Sequence, residues 1–364
     1  MKPINQRSTA MIAPKAPQSL AHIAARVDVR LRTLLDFEHA RWTEIDKDLG
    51  PPLVEISRLV LTGGKRLRPA FCTWGFVGAG GDATDQRVVD AGAALELLHA
   101  CALFHDDVMD GSATRRGEPT THTKFTGQHA SNKWAGESRR FGEGVAILVG
   151  DLVHVYADQL LQGEPHAAWQ VWNEMRIELN VGQYLDMLGS ATSERSREKA
   201  ERVCRYKSAK YTIERPLHLG AVLADPDRAA ELMAVFSAYG LPLGDAFQMR
   251  DDVLGAFGDT ATTGKPVGDD LREGKPTPLM AIATEHANAS QLQVLQLVGH
   301  AQLTDAQVAD VQRVIRETGA LDQLEAEISN KTDEAIAVIE QAPITDVARD
   351  ELIALASYVS WRSV

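Results

Sequence analysis

The sequence predicts an all-α protein. From about residue 20 onward, apolar residues recur at three- and four-residue intervals, and no sustained period-2 alternation bounded by hairpin turns interrupts them. Aromatic residues make up only 6% of the chain, fewer than an all-β sheet of this size would use. The 364 residues allow one large domain or two ordinary ones with a substantial core. At 44% hydrophobic and 24% charged residues, the composition is that of a globular chain and not of a disordered one.

Residues 1–19 hold Lys2, Arg7, Lys15 and three prolines without a continuous apolar run, which reads as a disordered N-terminal segment and not a secretory signal. A single domain is expected over 20–364. Pro51 and Pro52, then Gly63 and Gly64, punctuate its first helices, and a long Ala/Leu-rich helix follows over about 84–110 with Ala91, Leu95, Leu98, Ala102 and Phe104. The polar stretch 111–142, rich in Gly, Ser, Thr, Arg and His, reads as the longest loop. Helical texture resumes over about 145–163, 168–190, 194–222, 227–257 and 275–287, broken by the Gly264 to Pro266 turn. Leu303, Val308, Val311, Val314, Leu321, Leu324, Ile328 and Ile336 mark shorter amphipathic helices in the last third. None of the breaks reads as an interdomain linker, and no 20- to 50-residue repeat is present.

With 38 Lys plus Arg against 50 Asp plus Glu, the net charge of −12 disfavours nucleic acid as a partner. An anionic ligand must be met by a local basic cluster or by metal ions. Cys72, Cys101 and Cys204 show neither close pairing nor metal-ligand spacing, which fits core positions in a reducing compartment. No stretch reaches about 18 uncharged apolar residues, so no membrane span is expected and the cytoplasm is the expected location.

Three groups of residues carry chemistry. The first, His105-Asp106-Asp107-Val108-Met109-Asp110, ends the long apolar helix. Asp106 and Asp110 are spaced i, i+4 and repel one another on one face, and anions at a helix C-terminus also oppose the macrodipole. A cation from outside relieves both problems, and Mg²⁺ suits such a site, since it prefers one or two carboxylates with water and substrate phosphates. Taken alone, the run reads equally well as a solvated acidic helix end. The second group, Gln248-Met249-Arg250-Asp251-Asp252-Val253-Leu254-Gly255, repeats the pattern after Phe236, Leu241, Leu243 and Phe247. Two such endings facing each other would surround divalent ions and leave positions for phosphate oxygens.

The third group is basic. Gly63-Gly64-Lys65-Arg66-Leu67-Arg68-Pro69 sets three cations in a glycine-led turn, and Arg115-Arg116 follows Asp110 by five residues. Arginine's fork matches phosphate oxygens, and the glycines let backbone N–H groups approach an anion. The spacing is not that of a Walker A loop. A lone basic turn is more often solvated surface, but two acidic helix ends in the same acidic chain favour a site. Together the groups describe a pocket that takes two anions differently, one through metal ions and one through Arg and Lys, as the joining of two diphosphates requires.

From about residue 25 to 360 the chain resembles the trans-isoprenyl diphosphate synthases (polyprenyl synthetases). The motifs match in order: GGKRLRP at 63–69, HDDVMD at 105–110, RRG at 115–117, Lys207-Ser208 where the family usually has Lys-Thr, FQMRDD at 247–252, then Lys265 and Lys275. The resemblance implies a bundle of mostly antiparallel helices around a deep central cavity, as a homodimer. It implies that Lys65, Arg68, His99 and Arg116 hold isopentenyl diphosphate, although a lone histidine such as His99 is more often a buried structural one. Asp106, Asp110, Asp107 in support, and Asp251 would ligate Mg²⁺, about three ions per site, with Mn²⁺ as a substitute. Asp252 joins this acidic set. Arg115, Lys207, Ser208, Gln248, Lys265 and Lys275 would contact the allylic diphosphate, a C5 to C15 chain. The implied reaction is ionisation, condensation and elimination, without a conventional base.

The second acidic motif departs from the family pattern, because position 255 is Gly where a third aspartate is usual. Asp259 lies too far along to replace it, whereas Asp269 and Asp270 are placed to act through water. By resemblance, residues four and five before the first aspartate form the floor that limits chain length. Here these are Ala102 and Cys101, both small. A C15 stop is therefore not expected, and geranylgeranyl diphosphate (C20) is the expected product, with a C25 or longer chain as the alternative. A terpene cyclase would not need the second, basic diphosphate site, and a catalytically silent partner subunit would be expected to lose aspartates from the first motif.

Overall fold

A computed structural model of the chain describes residues 15–192, 196–258, 267–300 and 303–361. Helix α1 (Gln18–Ile45) buries Leu20, Val27, Leu31 and Leu35 along one stripe. Helix α2 (Gly50–Leu61) starts on Pro51 and Pro52, whose missing N–H groups are harmless in a first turn. After the basic turn come α3 (Leu67–Gly78) and the long α4 (Gln86–Met109). Helix α4 is apolar on nearly every side from Val88 to Cys101 and forms the centre of the bundle. By length and composition it alone among the described helices could cross a membrane, but 72% of its apolar window is buried inside the fold.

Helix α4 ends where the first acidic motif needs it to end. Gly111 takes φ +65°, its N–H reaches Val108 O at 3.3 Å, and Ser112 N–H reaches Asp107 O at 3.0 Å. This is a Schellman stop, which requires a left-handed residue that glycine adopts without strain. The expected loop over 111–142 is largely ordered instead. It holds a two-residue antiparallel ladder, β1 (Thr114–Arg115) on β2 (Glu118–Pro119), and helix α5 (Thr121–Ser131), and α6 (Ser138–Leu160) begins inside it. Polar composition hid α5, whose buried anchors are few, chiefly Phe125 and His129 at i, i+4. Gly142 of α6 lets that polar helix press close, since a Cβ there would collide with His122 O and Thr126.

Helix α7 (His166–Ala191) and α10 (Pro226–Phe257) lie close to the expected spans. The expected helix over 194–222 is composite: α8 (Arg197–Val203), a π-helical stretch (Cys204–Glu214) and α9 (Arg215–Ala224). Two glycines press the π-helical stretch between its neighbours. A Cβ at Gly182 of α7 would meet the Lys207 backbone, and one at Gly244 of α10 would lie 2.6 Å from Ala209 Cβ. Helices α11 (Asp269–Glu273), α12 (Pro278–His286), α13 (Ala289–Leu295), α14 (Asp305–Glu317), α15 (Ala320–Glu340) and α16 (Asp346–Trp361) complete the chain. A large apolar core surrounds α4, and a second one joins the C-terminal part of α10 to α12, α14 and α15. Helix α10 thus ties both halves together beside the cavity.

Candidate active site

A cavity of about 420 Å³ opens between α4, the π-helical stretch, the end of α10 and the basic turn. Its acidic wall begins with Asp106, which faces Lys207 Nζ at 3.1 Å and Arg115 at 3.7 Å and accepts a hydrogen bond from Gln183 Nε2 at 2.9 Å. Lys207 also lies 2.5 Å from Asp186 of α7. Burial works against the Asp106 charge, but Lys207 and Lys275 outweigh it and hold the carboxyl below its usual range. Partial withdrawal from water and the Asp106 charge push Asp110 up to about 6. The like-charge conflict expected from the i, i+4 spacing is therefore present. Asp107 turns away from it and binds Arg115 at 2.7 Å.

Across the cavity, Gln248 Nε2 donates to Asp252 Oδ1 at 2.9 Å, while the buried Asp252 Oδ2 has no partner. Burial pushes Asp252 well above the usual carboxylate range. Lys275 reaches in beside Glu273 at 2.7 Å and Asp270 at 3.4 Å. Among the described residues, no three carboxylate, histidine or cysteine groups stand close enough to hold a metal ion by themselves. A hard cation such as Mg²⁺ takes one or two carboxylates and completes its shell with water and phosphate oxygens. The unpartnered Asp252 oxygen and the Asp106–Asp110 repulsion are what such an ion would satisfy.

The basic wall is built by the glycine-led turn. Arg66 sits at φ +49° and sends its guanidinium inward to Glu96 at 2.6 Å, Asp28 at 2.7 Å and Val60 O at 2.7 Å. It anchors the turn. Arg68 stacks 4.2 Å over the Tyr211 ring, donates to Thr212 Oγ1 at 3.1 Å and donates to the Tyr211 hydroxyl. Tyr211 in turn stands 3.0 Å from His99 Nδ1. Burial and the Arg68, Arg115 and Arg116 charges hold His99 well below the usual histidine range, so it is neutral at pH 7. Arg116 ties the ladder to the turn by donating to Gly63 O at 2.9 Å, and Lys65 Nζ lies 5.8 Å over the Tyr358 ring.

Residues 51–318 match the family model for polyprenyl synthetases. The chain belongs to the polyprenyl synthetase family. It is a trans-prenyltransferase, and the family uses isoprenyl diphosphate substrates and is generally dependent on divalent metal. Over 305 residues it is 32% identical to the geranylgeranyl diphosphate synthase of Mycobacterium tuberculosis, covering 82% of this chain and 80% of that one. Over 309 residues it is 31% identical to the geranylfarnesyl diphosphate synthase of Aeropyrum pernix, covering 82% and 89%. A crystal structure of a geranylgeranyl pyrophosphate synthase from Corynebacterium glutamicum, complexed with isoprenyl diphosphate and magnesium, superposes with a TM-score of 0.87 at 38% identity, covering 94% of this chain and 99% of that one. These relatives share the fold and reaction class but carry names for different product lengths.

In this polyprenyl synthetase the cavity is bordered by Lys65, Arg68, His99, Asp106, Arg115, Arg116, Lys207, Ser208, Gln248, Asp251, Asp252 and Lys275, all expected from the sequence. Asp107, Asp110, Cys101 and Ala102 do not border it, and Lys265 lies outside the described residues. On α4 the apolar lining comes from Ala100 and Leu103, while Cys101 Sγ faces His105 Nδ1 at 3.9 Å. Asp186, Tyr211 and Thr212 border the cavity without having been singled out in the sequence. Tyr211 and Thr212 were hidden by the π-helical stretch, where a 3.6-residue period assigns faces wrongly. Asp186 offers only a weak signal, a lone carboxylate three residues after Gln183 on α7.

Proposed function

We propose that this trans-prenyltransferase joins isopentenyl diphosphate to C5 to C15 allylic diphosphates and releases geranylgeranyl diphosphate (C20). The observation that carries this reading is one cavity with two unlike ends, acidic at Asp106 and Asp251–Asp252, cationic at Lys65, Arg68 and Arg116. At the cationic end, those three residues and His99 receive isopentenyl diphosphate. The Tyr211 hydroxyl accepts from Arg68 and stands 3.0 Å from His99 Nδ1; if it gives its own proton to Nδ1, the imidazole proton would sit on Nε2 as a donor to phosphate.

At the acidic end, Asp106 and Asp110, supported by Asp107, with Asp251 and Asp252 opposite, would hold Mg²⁺ (about three ions, with Mn²⁺ as a substitute) together with the allylic diphosphate. The bound cations supply charge neutralisation for the departing diphosphate. Lys207, Arg115, Gln248, Lys275 and Ser208 border the cavity and would meet that same group, as the family resemblance implies for Lys265 too, and Lys207 and Arg115 already flank Asp106. Fixed cations here meet negative charge as the C1–O bond breaks and its electron pair leaves with the diphosphate. The double bond of isopentenyl diphosphate then forms the new bond to C1, and a proton passes to the released diphosphate. The protein's share is positioning and exclusion of water.

The geranylgeranyl-producing relatives support a C20 product; Cys101 and Ala102, the floor that the family resemblance implies, are small but do not border the described cavity. The geranylfarnesyl-producing relative supports a longer product as the second reading. Replacing Ala102 with Phe is expected to shorten the main product by at least one C5 unit, as checked by chromatography of the dephosphorylated alcohols. An unchanged distribution would remove Ala102 from the tail channel. For the wild-type protein, incubation with Mg²⁺, labelled isopentenyl diphosphate and separate C5, C10 and C15 starters is expected to yield a dominant C20 alcohol. Failure to elongate any starter would overturn the reading.

A cytoplasmic homodimer is part of the same proposal. Helices α6 and α7 are joined by hydrogen bonds from Trp172 and Arg176 to Asp158, and each exposes large apolar residues at helical spacing. Leu148 (68%), Val155 (55%), Ile177 (58%) and Tyr184 (65%) are the most exposed of these. An apolar face of this kind is costly in water and fits a second copy. Sedimentation of Leu148→Glu is expected to show monomer where the wild-type chain shows dimer.

A further inference from the structure

The π-helical stretch carries a contact to each end of the cavity. Lys207 meets Asp106 at 3.1 Å and Asp186 at 2.5 Å, and four residues later the Tyr211 hydroxyl accepts from Arg68 and stands 3.0 Å from His99 Nδ1. Such winding is usually confined to a single turn inside an α-helix, so eleven residues of it, Cys204–Glu214, call for support from outside. Glycines of the two neighbouring helices supply part of it. Gly182 of α7 lies against the Lys207 backbone, and a Cβ at Gly240 or Gly244 of α10 would come 2.9 Å from Glu214 Cα or 2.6 Å from Ala209 Cβ. These approaches fix where the stretch runs, but without side chains they do not fix its rotation about its own axis.

A carboxylate behind the stretch fixes the rotation. Glu178 stands one turn before Gly182 on α7; its Oε2 accepts from Arg215 Nε and its Oε1 from Arg215 Nη2, both at 2.7 Å. Oε1 also accepts from Lys210 Nζ. Lys210 and Arg215 are five residues apart, and the Arg215 N–H donates to Lys210 O, the i→i−5 bond of the π register. In an α-helix a separation of five residues turns two side chains about 140° apart. In the π register they stand one turn apart on one face, where a single carboxylate reaches both. Glu178, Lys210 and Arg215 are largely buried, and none of them borders the cavity. The two cations outweigh burial and hold the Glu178 carboxyl below its usual range, so it is ionised at pH 7. Separating the three would strand a charge away from water, and the cluster therefore resists a change of register.

Resting on the two-diphosphate reading above, we infer that Glu178 is a positioning residue for the condensation: its grip on Lys210 and Arg215 holds the π register that turns Lys207 to the acidic end and Tyr211 to the cationic end. It touches neither substrate. A return to α-helical winding by one residue would turn Lys207 about 100° relative to α9 and away from Asp106. One side chain outside the cavity thus acts on both of its ends.

The test compares Glu178→Gln with the wild-type chain by steady-state kinetics in both substrates, by thermal melts, and in a double variant with Lys207→Ala. Glutamine keeps the shape and removes the charge. Turnover of the folded variant is expected to fall about tenfold, as small misplacements of a positioning contact do. KM for isopentenyl diphosphate is expected to rise about fivefold, because Tyr211 moves with Lys207. In the Lys207→Ala background, adding Glu178→Gln is expected to lower turnover by less than about twofold, since its effect on turnover runs through Lys207. Lys210→Met leaves Glu178 paired with Arg215 and keeps the test decisive if Glu178→Gln misfolds; it is expected to change both parameters in the same direction by a smaller factor. A purely structural role would lower the melting temperature and leave kcat and both KM values of the folded protein unchanged. That result in either variant, or losses at 178 and 207 that multiply, would overturn the inference alone. Absence of condensation by the wild-type chain would overturn the two-diphosphate reading with it.

Discussion

Replacing Asp106 with alanine is expected to lower turnover by about 10³-fold or more. Asp106 is the carboxylate on which the acidic wall converges: Lys207, Arg115 and Gln183 all address it. Removing one fixed charge-stabilising group from a buried site costs about 10²- to 10³-fold in turnover. Here the loss is compounded, because a proposed ligand for the cation disappears and Lys207 is left to pair with Asp186 alone. The fold should survive, since Asp106 lies near the end of α4 at the cavity and contributes little to the core. Steady-state assays with labelled isopentenyl diphosphate, beside thermal melts, separate the two effects. A melting temperature near that of the wild-type chain with activity reduced less than tenfold would remove Asp106 from the centre of the reaction.

Gly220→Val is expected to destabilise the protein by about 3 kcal/mol or more, the upper end of what overpacking costs. Helices α3 and α9 meet backbone to backbone, because a Cβ at Gly220 would collide with Cys72 O, and one at Gly75 would lie 2.8 Å from Leu217 Cα. Neither backbone can move aside as a flexible side chain would. This crossing also sets the site, since α3 follows directly from the basic turn and α9 from the π-helical stretch that carries Lys207 and Tyr211. Loss of folded protein and loss of activity should therefore go together. Gly127 of α5 serves as the control: nothing lies within 4 Å of a Cβ there, and Gly127→Ala should hold or raise the melting temperature. Equal melting of Gly220→Val and the wild-type chain would contradict the close crossing.

Much of this was legible in the sequence because the signals were local. The apolar period of α4, its stop at Gly111 and the acidic residues between them sit within one stretch of chain. The basic turn is likewise announced by Gly63 and Gly64, although sequence alone did not show that Arg66 is tied to Glu96 and Asp28. The structure added what depends on distant partners. Helix α5 is ordered by packing on α6 and not by its own composition, so its polar residues read as loop. Tyr211 and Thr212 reach the site through a change of helical period that no local propensity marks. At Gly255 the sequence shows only a departure from the acidic pattern, and the structure adds that a Cβ there would meet the Asp270 carboxylate, fifteen residues later.

Titration calorimetry tests directly whether one cavity holds two diphosphates by different means. A non-ionising allylic thiolodiphosphate and isopentenyl diphosphate are titrated separately, each with Mg²⁺ and again with chelator. The account predicts that the allylic analogue binds only with Mg²⁺, whereas isopentenyl diphosphate binds in both conditions and loses affinity in Arg68→Ala. Equal dependence on Mg²⁺ for both ligands, or for neither, would contradict it.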